Sequence, residues 1–212
     1  MSASAAADEP ALWRVLSTVE AHTADRYAQA APALAAPERP PLVAQMRRLA
    51  GGVALEDTGL DGPVRSLLQV AEGQGTAHDA ALLQGLLLEQ LGATLYTTLA
   101  EGGRLTAAGQ ALASDAAAAS RAAAQRAVAQ LRAEHPDPQE RFYAFTAASR
   151  PLLAQLDSLG EALDGRFAAP LELRFADVLG DFMAELLPCC VSELGFSRRR
   201  VMVHFTQALM SA

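Results

Sequence analysis

The stretch Thr76–Gly102, TAHDAALLQGLLLEQLGATLYTTLAEG, decides how the rest of the chain is read. Between Ala80 and Ala100 its only ionisable side chains are Glu89 and Tyr96, and leucines fall on nearly every side of a helical projection. A helix that is apolar all round must be covered all round, because a surface helix keeps a charged face. Its covering elements must themselves be helices, since no segment shows the period-two alternation of a half-buried strand. The chain is therefore expected to be all-α: a single bundle of about eight helices packed around a central hydrophobic helix at 76–102.

Working outward, Thr76 caps this helix and Gly102-Gly103 ends it. On the N-terminal side, residues 1–7 read as disordered, and Asp8 with Pro10 opens a helix to about Ala31. Its core face is Leu12, Leu16, Val19, Thr23, Tyr27 and Ala30, at i, i+3/i+4 spacing. A Pro-rich connector, Pro32–Pro41, precedes a helix at Leu42–Ala50, and a long loop at Gly52–Gly62 precedes one at Pro63–Ala71. On the C-terminal side Thr106 caps an alanine-dominated helix to Glu134, and Asp137 with Glu140 forms a capping box for the next. Pro151 is expected to kink or restart that helix, which Gly160 and Gly165 then end. Two further helices follow, Leu171–Leu187 and Arg198–Met210. Residues 8–212 thus read as one domain.

Composition limits the function. The chain has no Lys, Ile or Asn, residues with AT-rich codons, so a GC-rich bacterial genome is the expected source. All 17 basic residues are Arg, which removes Schiff-base and P-loop lysine chemistry. A net charge of -7 argues against a general nucleic-acid coat. No basic n-region or apolar h-region opens the chain, and adjacent Cys189 and Cys190 cannot staple distant segments, so a reducing cytoplasm is expected. Glu89 at the centre of the apolar stretch and the lack of basic flanks argue against a membrane span.

Glu89 is the sharpest candidate. It shares a helix face with Gly85, Gly92, Ala93 and Tyr96, so a neighbouring helix will cover it closely, and a covered carboxylate is paired or protonated. Its spacing to Tyr96 recurs in the first helix as Glu20-x6-Tyr27; little else is shared, and the recurrence reads as coincidence before duplication. LLLEQLGATLYTTL, at 86–99, resembles the first metal-binding helix of ferritin-like proteins, in which a Glu and a later Tyr point into a four-helix bundle. The resemblance implies Glu89 and Tyr96 as metal ligands, and the recurrent spacing adds Glu20 and Tyr27 to that candidate metal set. The resemblance also implies a Glu-x-x-His on a following helix, and Glu-x-x-His occurs nowhere; the corresponding run is Asp115-Ala-Ala-Ala-Ala-Ser120.

His22, four residues after Thr18, resembles the proximal-histidine helix of haem oxygenases, but Leu179–Glu185 (LGDFMAE) lacks the glycine pair of their distal helix. The remaining histidines have no ligand neighbour at helical spacing. Asp57-x3-Asp61 and Asp177-x3-Asp181 match the aspartate spacing of prenyl-transferring enzymes; the first lies in a loop, and the second reads as part of a solvated stripe with Arg174 and Glu185. At the C-terminus, Val191–Val201 has helix-turn-helix spacing, with Gly195 at the turn, Ser197 capping, Val201 inward, and Arg198, Arg199 and Arg200 placed for phosphates. Pro188 and Val191 are poor residues for a regular first helix.

No nucleophile–base set or nucleotide loop is evident, and no cofactor is assigned. The leading expectation is a non-catalytic interaction or regulatory protein acting on a protein partner or as a homodimer, for which the smooth alanine-rich helix is suited. The alternatives are a metal-binding helical protein and a DNA-binding regulator.

Overall fold

A computed structural model describes residues 3–73, 78–102 and 104–210. The described residues form eight α-helices and no strand. They are α1 (Ala3–Ala30), α2 (Arg39–Ala50), α3 (Asp61–Gly73), α4 (His78–Gly102), α5 (Ala107–Glu134), α6 (Pro138–Leu171), α7 (Phe175–Pro188) and α8 (Arg198–Met210). The expected cap at Thr76 and the expected helix end at Gly103 lie outside the described residues, as do Met1, Ser2, Ser211 and Ala212.

α4 packs along α5 for much of its length and also meets α1, α6 and α7. Leu82, Leu83, Leu86 and Leu87, on different sides of α4, are all buried, as are Leu91, Leu95 and Leu99. Full burial of each such side chain contributes roughly 1.5–3 kcal/mol. The buried face of α5 is mainly alanine, Ala113, Ala116, Ala117, Ala123, Ala124 and Ala127. A Cβ built on Gly92 of α4 would lie 3.2 Å from Ser120 Oγ of α5, so small residues on both helices set how near the axes come. The alanine face expected to suit a second subunit is in large part used inside the chain.

α1 and α2 form a second helical pair, and α6 crosses α1, α3 and α4. The expected cap at Thr106 is present, its hydroxyl accepting the Gly109 N–H at 3.2 Å. Asp137 likewise accepts from Gln139 N at 2.9 Å. A buried acid unforeseen from the sequence, Glu9 of α1, accepts from Trp13 Nε1 (3.1 Å), Thr106 N (2.9 Å) and Thr106 Oγ1 (2.9 Å). It ties the first helix to the N-terminus of α5, where a carboxylate is favoured.

Several boundaries differ from expectation. α1 starts at Ala3, ahead of the Asp8 cap. α2 starts at Arg39, because Pro40 and Pro41 occupy the first turn, where a helix does not use their missing N–H. α3 spans two more residues at each end than expected. α6 runs unbroken for 34 residues through Pro151 and Pro170 and past both glycines. Pro151 is tolerated because the carbonyl it leaves without a donor belongs to Ala147, an exposed residue. The break comes instead at Glu172, whose backbone is left-handed at φ 53°. There the Leu171 carbonyl accepts the Arg104 N–H at 3.2 Å, and Arg104 pairs with Glu172. α7 ends in a π-turn, Cys189–Glu193, followed by Gly195 at φ 74°. Among the described residues no helix is long and apolar enough to cross a membrane.

Candidate functional site

Glu20, Tyr27, Glu89 and Tyr96 come together where α1 crosses α4. Tyr27 Oη donates to Glu89 Oε1 at 2.7 Å, and Tyr96 Oη donates to Glu20 Oε1 at 2.8 Å. Each tyrosine therefore serves the acid of the other helix. Gly85 allows this approach: a Cβ there would lie 3.0 Å from the Tyr27 ring and 3.1 Å from its oxygen.

At the centre is a residue that sequence reasoning missed. Arg39, the first residue of α2, places Nη1 on Glu20 Oε2 and Nη2 on Glu89 Oε1. Its guanidinium carbon also lies 5.4 Å from the Tyr27 ring centroid, a cation–π contact. Arg39 is 4% exposed and Glu89 2%, so both charges are desolvated and each depends on the other. The only signal in the sequence is a charge in a Pro-rich connector, and nothing there separates Arg39 from the other arginines.

Burial pushes the Glu89 carboxyl above the ordinary carboxylate range, against the opposing pull of Arg39. Burial likewise raises both Tyr27 and Tyr96, with the adjacent carboxylates adding to it, so the phenols remain donors. Glu20 and Glu89 against Arg39 leave one excess negative charge when all three are ionised, which a proton on Glu89 relieves.

This donor set does not fit the carboxylate-bridged metal pair implied by the ferritin-like resemblance. A guanidinium bridges the two acids, both phenols are protonated, and no histidine joins them. The helix expected to complete the site brings Ser120 against Gly92, while Asp115 is exposed. Among the described residues no group of three His, Cys, Asp or Glu side chains could hold a metal ion. His22 is half-buried on α1, beside Arg26 and Gln84. The buried thiols of Cys189 and Cys190 are free, and burial pushes Cys189 up to about 12 and Cys190 higher still, so neither is a ready nucleophile. Ser149 Oγ lies 2.7 Å from His204 Nε2, but Ser149 is fully buried and beyond a substrate's reach.

The C-terminal residues form a second, exposed arrangement. Gly195 makes the turn, Val201 is fully buried, and Ser197, Arg198, Arg199 and Arg200 are exposed. The expected first helix of a helix-turn-helix is replaced by the π-turn. A cleft of about 850 Å³ separates α6 from α8, with Arg150, Arg199 and Arg200 on its sides and Phe142, Tyr143 and Val203 among its apolar residues. Tyr143 is 59% exposed and Val203 49%, and Met202 beside them is 47% exposed. None of these arginines makes an ion pair among the described residues. The acidic stripe of α7, Asp177, Asp181 and Glu185, is exposed as expected. No protein-family model matches this chain, and no curated protein sequence matches it.

Proposed function

We propose that this protein is a non-catalytic helical interaction protein that receives an acidic amphipathic helix of a partner protein in the cleft between α6 and α8. The observation that carries this reading is the combination of three arginines without ion-pair partners among the described residues with exposed Tyr143 and Val203 around one cleft, on a chain whose net charge is -7. Exposed aromatics with arginine are the residue types enriched where proteins bind proteins. Arginines above an apolar floor suit a helix with leucines on one face and carboxylates on the other.

Arg198, exposed at the start of α8 beside Arg199 and Arg200, favours DNA as the second reading. One experiment separates the two. A fluorescent Leu/Glu amphipathic helical peptide and a DNA duplex are each titrated with the full chain at low and moderate salt. The peptide is expected to bind saturably, and Arg150→Ala/Arg199→Ala/Arg200→Ala to abolish that binding. Salt-sensitive binding of the duplex with none of the peptide overturns the reading, as does peptide binding that the triple variant retains.

A further inference from the structure

His204 lies on the lining of the α6–α8 cleft, half-buried, with its Nε2 2.7 Å from Ser149 Oγ. α6 supplies that lining with Arg150 and Tyr143, and α8 supplies it with Arg199 and Arg200. α7 and the π-turn at Cys189–Glu193 also pack against α8, but neither places a charged side chain there. Among the described residues the lining thus holds three arginines and no carboxylate. An imidazole is the side chain that ordinarily changes charge between about pH 5 and 8. His204 is the only one on this lining among the described residues.

We infer that the cleft takes up a proton at His204 when its acidic partner docks, so that the complex tightens as pH falls through the neutral range. This rests on the reading of the cleft as the receiver of an acidic helix. In the empty cleft, burial and the charge of Arg150 hold the ring below the ordinary imidazole value. A like charge nearby disfavours the imidazolium, and an opposite charge favours it. A helix that sets carboxylates against the arginines brings those carboxylates among the charges around His204. An opposite charge within ~4–6 Å moves a pKa by about 1–3 units, here upward. Docking also removes water from the ring, which acts in the other direction. The ring is already half-buried, however, and drying the cleft strengthens its attraction to the carboxylates at the same time. Ser149 does not resist the change, because a hydroxyl can donate to the neutral ring and accept from the charged one. The complex therefore binds more protons than the free chain, and by linkage the proton tightens the partner as much as the partner tightens the proton. One proton changes Kd by at most about tenfold per pH unit.

The test titrates the full chain with the fluorescent Leu/Glu helical peptide at about pH 8, 7 and 6, where glutamates, ordinarily near about 4.3, stay ionised. Kd is expected to fall at least about threefold across this range. Calorimetry in buffers of different ionisation enthalpy is expected to register net proton uptake on binding. His204→Gln, if folded, is expected to lose both the uptake and the pH dependence. A second measurement needs no variant: the His204 imidazole resonance, identified by its contacts with the Phe145 and Phe205 rings, is expected to titrate at higher pH with peptide bound than without. Peptide binding that is flat across the range, or that tightens as pH rises, overturns the inference and leaves the proposed function standing. So does an imidazole whose titration does not move upward, or a pH dependence that His204→Gln retains. Absence of peptide binding at every pH overturns both.

Discussion

Two regions of this molecule use the same side chains under opposite conditions. At the crossing of α1 and α4, one arginine, two carboxylates and two tyrosines are largely buried and hydrogen-bond one another. At the α6–α8 cleft, arginines and a tyrosine lie open and without ion-pair partners among the described residues. The difference teaches what each set can do. Buried, the charges fix how α1, α2 and α4 meet, and their removal is expressed in stability. Exposed, the charges contribute little to folding and remain available to a partner.

The largest expected effect is at the buried end. Arg39→Met strands two acids and is expected to cost about 3–5 kcal/mol, a fall in Tm of order 10 °C for a chain of this size. Thermal and urea melts measure it. Replacing Glu20, Arg39 and Glu89 together with Leu, Met and Leu is expected to recover most of that loss, because no uncompensated charge then remains. A triple variant as unstable as the single one would break the comparison.

The two regions' tyrosines sharpen it further. Tyr27→Phe leaves Glu89 short of a donor and is expected to cost about 1–3 kcal/mol. Tyr143→Phe, at a residue 59% exposed, is expected to stay within about 0.5 kcal/mol.

pH separates the regions by sign. Glu89 is harder to ionise in the folded chain, chiefly through burial, so the folded state binds more protons than the unfolded one. Its contribution therefore makes stability fall as pH rises from the ordinary carboxylate range through the raised value. His204, at the cleft, is held below the ordinary imidazole value by burial and by the charge of Arg150, so there the unfolded state binds more protons. Its contribution is lost as pH falls from the ordinary imidazole value to the depressed one. Glu89→Gln is expected to flatten the first slope and His204→Gln the second, each leaving the other in place; chemical denaturation across pH reads both.

The smallest effect on folding is expected from Arg150→Ala/Arg199→Ala/Arg200→Ala: a change in stability within about 0.5 kcal/mol per site. Circular-dichroism melts of that variant, beside its peptide titration, show whether lost binding is separate from lost folding.

The parts legible in the sequence are those written in local chemistry. The apolar run of α4, the caps at Thr106 and Asp137, the turn at Gly195 and the inward Val201 each follow from neighbouring residues alone. Glu89 and Tyr96 with Glu20 and Tyr27 were readable as a group because one spacing occurs twice. Arg39 was not, since its role depends on a Pro-rich segment folding back across two helices, and no periodicity reports such a return. The continuity of α6 through Pro151 was hidden for a related reason: the freed carbonyl belongs to Ala147, whose exposure is a tertiary fact.

The central claim is that a buried Arg39 joins the acids of α1 and α4, and a double-mutant cycle between Glu89→Gln and Arg39→Met tests it most directly. Urea unfolding of the wild type, both single variants and the double variant gives the coupling energy. A direct, desolvated contact predicts coupling of about 2–3 kcal/mol, at the upper end for interacting pairs. Additivity of the two substitutions within about 0.5 kcal/mol would contradict the account, because residues that do not touch behave that way.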